Sequence, residues 1–321
     1  IYLLDKDKDG EIQIPEAAAY KGSIIYKNNA SKGVDLTGLE AFTSITKLEI
    51  NANGLTSLDV SKNTELTSLI CFKNSIKTLD LSKNTKITKI HCYYNSLTDL
   101  KIGSLDVLTS LRCYNNALKS IDVTGATKLD ELFCHTNQLT SLITDGATSL
   151  AKIVSYTNTS LTNLDLSTNT GLTQLWTYNC NLGYLNVANG NNSNMADWQF
   201  QISKNANLTC VQVDDVDYSA KTWTDKDPAA TFSLKCKNTV SIAHLSTIKI
   251  NIYPNPCTGK LNIEGVKLIK EVQVINAIGK EVYRISNPSQ FIDIKHLNNG
   301  MYFMLIHSEK GLSSHKIQVK H

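Results

Sequence analysis

Hydrophobic residues recur in this chain at a fixed interval. Leu48, Leu69, Ile90, Leu111, Leu132 and Ile153 stand twenty-one positions apart, and Leu175 arrives one position late because one residue is inserted near Thr159-Ser160. A second column, Leu58, Leu79, Leu100, Ile121, Leu142, Leu164 and Leu185, keeps the same period and the same slip. A period of about 20 to 50 residues marks a solenoid, because each turn carries an apolar edge that it cannot bury alone and stacked turns close a continuous core. Two apolar edges per turn are therefore expected. Around each first-column position the chain alternates, as in Leu69-Ile70-Cys71-Phe72, which turns Leu69 and Cys71 inward on a short strand.

One unit, Leu66 to Thr85, reads L-T-S-L-I-C-F-K-N-S-I-K-T-L-D-L-S-K-N-T and follows the L-x-x-L-x-L-x-x-N pattern twice. Asn53, Asn74, Asn95, Asn116, Asn137 and Asn158 mark the bend after each strand, where stacked amides can hydrogen-bond the backbone of the next turn. Cys180 takes that position in the seventh turn. The pattern resembles the leucine-rich-repeat proteins, specifically the short 21-residue repeats of Bacteroidetes surface proteins. The resemblance implies a β-rich leucine-rich-repeat solenoid of parallel strands over 34–206, between an amino-terminal cap at 1–33 and a closing cap at 207–246.

Cys71, Cys92, Cys113 and Cys134 recur at the same interval, two positions after the inward Leu or Ile, and read as core thiols. Cys210 and Cys236 flank V-Q-V-D-D-V-D-Y-S-A-K-T-W beyond the repeats. Similar segments close related solenoids, which implies a disulfide stapling the cap. Cys257 has no assigned partner.

From about Thr247 the period gives way to short alternating strands: Ile248–Ile252, Lys260–Ile263, Glu271–Ile275, Glu281–Ile285, Phe291–Ile294, Met301–Ile306 and Ser314–Val319. Seven strands between turn residues predict an Ig-like antiparallel β-sandwich over 247–321. Tyr253-Pro254-Asn255-Pro256 with Gly259, Asn276-Ala277-Ile278-Gly279-Lys280-Glu281-Val282, Leu297-Asn298-Asn299-Gly300-Met301-Tyr302-Phe303, and Lys316 to Lys320 resemble the type A sorting domain of the type IX secretion system. The resemblance implies that secretion machinery as a partner, passage across an outer membrane, and surface attachment or release.

Composition narrows the partners. A 41% hydrophobic content supports real cores, and the 32 basic and 29 acidic residues are spread so evenly that no basic stripe points to nucleic acid. No apolar run approaches the roughly 20 residues of a membrane span. The first residues, IYLLDKDKDGE, lack the basic and apolar regions of a signal peptide, so any such peptide is expected to have been removed.

Asp5-Lys6-Asp7-Lys8-Asp9-Gly10-Glu11-Ile12-Gln13-Ile14-Pro15-Glu16 fits the D-x-D-x-D-G-x5-E calcium loop. Asp5, Asp7 and Asp9 would supply carboxylate oxygens, Glu11 its carbonyl, Gln13 a direct or water-mediated contact and Glu16 a bidentate carboxylate. One structural Ca2+ is the expected cofactor. Asp214, Asp215 and Asp217 lack a spaced acidic partner and read as a solvated loop.

The residue three after each first-column Leu points outward, giving Asn51, Phe72, Tyr93, Tyr114, His135, Tyr156 and Tyr178. Beside them lie Tyr94, Arg112 and Trp176. Asp59, Asp80, Asp122 and Asp165, with Ser61, Ser82, Thr124 and Ser167, make the opposite edge a solvated support. Exposed rings in a row suit sugar rings or the apolar anchors of an extracellular protein, though in-register rings also stack and stiffen a sheet. An adhesin or recognition protein binding through Phe72, Tyr93, Tyr94, Arg112, Tyr114, His135, Tyr156, Trp176 and Tyr178 is one expectation. A self-assembling filament or surface-layer subunit is the alternative. An enzyme's accessory region comes last, because no G-x-S-x-G, H-E-x-x-H or glycine-rich phosphate loop occurs.

Overall fold

The computed structural model describes residues 11–26, 34–103, 105–236, 250–266, 268–276, 281–308 and 311–321. The chain divides into two compact units, Ile1–Thr239 and Val240–His321.

In the first unit a front sheet of nine parallel strands runs through Ser23–Ile25, Lys47–Glu49, Ser68–Ile70, Lys89–His91, Ser110–Arg112, Glu131–Phe133, Lys152–Val154, Gln174–Trp176 and Phe200–Gln201. The periodic Leu and Ile stand in register, Leu48 opposite Leu69 and Leu69 opposite Ile90, and all are buried. The sheet reaches beyond the periodic columns at both ends. Ile24 pairs with Leu48, and Phe200 pairs with Leu175 across a step three positions longer than the step from Ile153 to Leu175.

Rear strands carry the second column in separate parallel ribbons: Thr78–Leu81 with Asp99–Ile102, Ser120–Asp122 with Ser141–Ile143, and Asn163–Asp165 through Tyr184–Asn186 and Cys210–Gln212 to Thr231–Ser233. Two asparagine ladders hold the bends. On the front ladder Asn95 donates through Nδ2 to the Cys71 carbonyl of the preceding turn at 3.0 Å, and its Oδ1 accepts from the Ile76 amide at 3.0 Å. Asn74, Asn116, Asn137 and Asn158 repeat this, and Asn205 resumes it after Cys180, whose sulfur donates to the Ser155 carbonyl at 3.5 Å. On the rear ladder Asn63 and Asn84 bind carbonyls of the preceding turn. The equivalent positions are then Leu105, Ala126 and Ala147 until Asn169 resumes the bonding, and the break between the first two ribbons falls in that interval.

The residue before each front-ladder position, Cys180 included, adopts a left-handed backbone: Ala52, Lys73, Tyr94, Asn115, Thr136, Thr157, Asn179 and Lys204, at φ between 51° and 60°. This costs each non-glycine residue on the order of 1 kcal/mol, offset by the amide bonds it makes possible.

At the amino end, Asp5, Asp7 and Asp9 lie outside the described residues. Glu11 is exposed, Gln13 is the N-cap of a helix over Ile14–Ala19, and the Glu16 carboxylate accepts from the Gln13 amide at 3.2 Å. At the far end the Cys210–Cys236 disulfide and a helix over Val216–Thr222 close the core. Trp223 is buried there, stacked on Phe200 with ring centres 3.9 Å apart.

The second unit is antiparallel. One sheet orders Asn251–Tyr253, Lys260–Glu264 and Phe291–Asp293; the other orders Glu281–Ser286, Ile269–Asn276, Gly300–Ser308 and Gly311–Val319. Leu261, Ile263, Val272, Val274, Met304, Ile306 and Ile317 fill the core, with Cys257 buried as a free thiol.

Candidate functional site

The inner and outer sides of the front strands have opposite chemistry. Inward, Cys71, Cys92, Cys113 and Cys134 are wholly buried free thiols in consecutive turns. Burial pushes the Cys71 thiol up to about 12 and raises the other three as well, so the column stays protonated and unreactive.

Outward, the rings do not stand apart. Phe72, Tyr93, Tyr114, His135, Tyr156 and Tyr178 form one continuous stack, with successive ring centres 4.5, 4.4, 4.3, 4.2 and 4.6 Å apart and planes within 17°. Parallel strands lie about 4.8 Å apart, so identical side chains in one column must stack face to face. The expected row of open rings is thereby corrected: interior ring faces are covered by their neighbours, and the surface offered is a rim of edges and hydroxyls. Burial raises the phenols of Tyr93 and Tyr156 and takes Tyr114 up to about 12. Burial likewise lowers His135 to about 4, and it stands neutral in the stack. Its Nε2 lies 3.4 Å from the Tyr156 hydroxyl. Tyr94 projects from the left-handed bend, 48% exposed, with its edge toward Tyr93 and Tyr114.

Arg112 is not a free cation for an incoming ligand. Its Nε and Nη2 each lie 3.0 Å from a Glu131 oxygen, and its guanidinium sits 4.9 Å over the Phe133 ring. Ser110 donates to Glu131 at 2.5 Å and lies 3.2 Å from His91 Nε2. Burial, then the Arg112 and Lys89 charges, hold His91 near 4. Burial alone would raise Glu131, but bonds from Arg112 and Ser110 outweigh it and keep the carboxylate below its usual range. Ser110 therefore bridges acid and imidazole, whereas a nucleophilic triad needs the imidazole between serine and acid.

Trp176 donates its indole N–H to the Trp198 carbonyl at 3.1 Å. Trp198, 63% exposed, lies in a stretch after the seventh turn that periodicity could not index. The lengthened step from Leu175 to the next aromatic-apolar strand was the available signal.

The rear edge carries Asx turns. Asp59, Asp80, Asp122 and Asp165 accept from the amides of Ser61, Ser82, Thr124 and Ser167 at 2.8 to 3.0 Å. Such bonds hold Asp59 and Asp80 below the usual carboxylate range. Asp214 accepts from Gly190 and Asn192, and Asp215 caps the closing helix through the Tyr218 amide. Among the described residues no group of three His, Cys, Asp or Glu is placed to hold a metal.

Residues 251–320 match the family described as secretion system C-terminal sorting domain. No curated protein matches the chain. Among solved structures, the functional domain of InlJ from Listeria monocytogenes, described as including a cysteine ladder, is 19% identical, covering 96% of this chain and 92% of that one with a TM-score of 0.40. The internalin InlF of the same organism is 17% identical, covering 72% and 88% at 0.35, and InlP is 12% identical, covering 99% and 92% at 0.36. The fold itself is given by strand pairing within this chain. Among the described residues no helix is long and apolar enough to cross a membrane. The chain is an exported protein of the cell surface or the secreted fraction, built as a repeat solenoid of parallel strands followed by a sandwich that matches the sorting-domain family.

Proposed function

We propose that the protein is a recognition protein or adhesin that binds an extracellular glycan or protein through the front face of its solenoid. The observation carrying this reading is the asymmetry of the two faces. The front gathers the ring stack, Tyr94, Phe133 and Trp176, while the rear strands end in short, self-satisfied Asp and Ser turns. Aromatic groups supply rigid contact area at low entropic cost, and a surface that only supported the fold would not need them outside the stack. One structural Ca2+, held by Asp5, Asp7, Asp9, Glu11, Gln13 and Glu16, belongs to the same proposal. The regular spacing of these groups and the place of Glu16 in the first turn of the Ile14–Ala19 helix support it.

The test is binding to an array of glycans and extracellular proteins. A variant carrying Tyr94→Ala, Phe133→Ala and Trp176→Ala should lose the captured ligand, while Asp59→Ala with Asp80→Ala should keep it. None of the three front residues belongs to the stack, so folding, followed by circular dichroism, should persist. Binding that survives the front variant would remove recognition from this face.

A further inference from the structure

Resting on the front-face reading, we infer that Trp198 and Trp176 form a sugar-binding platform at the carboxy-terminal end of the solenoid face, taking a pyranose ring of a polysaccharide. Four observations lead there.

The first is an insertion. The step from Leu185 to Phe200 is four positions longer than the equivalent step from Leu164 to Leu175. The additional length carries Trp198 on a short helical turn, Asp197–Gln199, at the edge of the front sheet.

Second, the insertion is anchored without using the indole. Asp197 accepts from the Thr224 amide at 2.7 Å, and the Met195 carbonyl accepts from Trp223 Nε1 at 2.9 Å and the Tyr218 hydroxyl at 3.2 Å. Gln199 Oε1 accepts from the Ala196 amide at 2.8 Å. Met195 fills the core. All of this fixes the backbone on either side of Trp198 and leaves its ring 63% exposed, the most open aromatic side chain of the solenoid unit among the described residues. An apolar ring held rigidly in water is preorganised for something that covers it.

Third, the surroundings are polar. The Trp198 carbonyl accepts from Trp176 Nε1 at 3.1 Å and from Gln201 Nε2 at 3.4 Å, which sets both side chains beside it. Gln174, two positions before Trp176, lies on the same outward side of the neighbouring front strand. A pyranose has an apolar C–H face ringed by hydroxyls, and an indole flanked by side-chain amides complements both parts.

Fourth, the area selects the ligand class. A tryptophan exposing most of a side chain of about 150 to 250 Å² offers roughly 100 to 150 Å², enough for one sugar ring. A stable protein interface needs about 800 Å² per partner. The ring stack cannot serve the same end, since its interior faces are closed.

The experiment is affinity electrophoresis of the intact chain in gels containing soluble glucan, xylan, mannan or galactan, with intrinsic fluorescence in solution. At least one polysaccharide should retard the protein, and Trp198→Ala should weaken retention at least tenfold, while the rear-edge variant Asp59→Ala with Asp80→Ala changes it less than twofold. Binding should also shift the tryptophan emission to the blue and protect it from acrylamide; the buried Trp223 contributes no such change, and Trp198→Phe should remove most of it. No retardation by any of the four, or retention unaltered in Trp198→Ala, overturns the platform. If array binding is lost with Tyr94 and Phe133 but survives Trp198→Ala, the platform fails while front-face recognition stands. If Trp198→Ala abolishes capture of a protein and no polysaccharide is retained, the sugar assignment fails and the face remains.

Discussion

Ser155 stands where the thiol column stops, and its replacement measures what that column contributes. The inward position reads Ile50, Cys71, Cys92, Cys113, Cys134, Ser155, Thr177 and Ile202 through successive turns, all buried. The Ser155 backbone is fully engaged: its amide donates to the Trp176 carbonyl at 2.8 Å, and its carbonyl accepts from Asn158 Nδ2 at 2.8 Å and Cys180 Sγ at 3.5 Å. Its hydroxyl finds no hydrogen-bond partner among the described residues. An unpaired buried hydroxyl costs about 1 to 3 kcal/mol, whereas a buried thiol packs as a small apolar group. Ser155→Cys changes only that atom and should stabilise the solenoid by about 1 to 2 kcal/mol, or about 2 to 8 °C in a unit of this size. The reverse change, Cys134→Ser, should destabilise it by a similar amount. All three tryptophans lie in the solenoid unit, so melting followed by tryptophan fluorescence under reducing conditions reports on that unit alone. If Ser155→Cys lowers the melting temperature, or Cys134→Ser leaves it unaltered, the hydroxyl is not orphaned and the reasoning fails.

Three further outcomes are expected. Tyr114→Ala removes two ring stacks and leaves a gap between Tyr93 and His135, and should cost about 2 to 3 kcal/mol in chemical denaturation, while Tyr114→Phe should cost under about 0.5; equal values would deny the stack a structural role. His91 and His135, held near 4 in the folded chain, remain neutral where the unfolded chain is already taking up protons. Stability should therefore be fully present above about pH 6.5 and decline as pH falls toward 4. Each group is half open to solvent, so its share is on the order of 1 kcal/mol, and His135→Phe should flatten the profile. Chelation, or Asp5→Ala with Glu16→Ala, should lower the melting temperature of the wild-type solenoid without altering the stoichiometry of saturated ligand binding; an unchanged melt in both would remove the ion.

The parts of this fold that were legible are those that depend on counting along the chain. Leu69 must face Ile90 because one full period separates them, and Asn95 must sit at a bend because it follows the inward Cys92 by three positions; both follow from period and alternation. The orientation of Tyr93 is different. Alternation turns it away from the core, but whether its face meets water or Tyr114 depends on the strand spacing and on the left-handed residues that end eight of the nine front strands, and a Lys, a Tyr, an Asn or a Thr at such a position carries no sign of its backbone angle. Insertions defeat counting altogether. Phe200 continues the front column, yet the longer step from Leu175 conceals it, and with it the indole that stands most open to solvent. A repeat makes its own regular positions readable and its exceptions hard to place. In this chain the regular positions are spent on the core and the stack, so an opening for a ligand arises where the repeat is interrupted, at the four positions added before Phe200 that lift Trp198 into solvent.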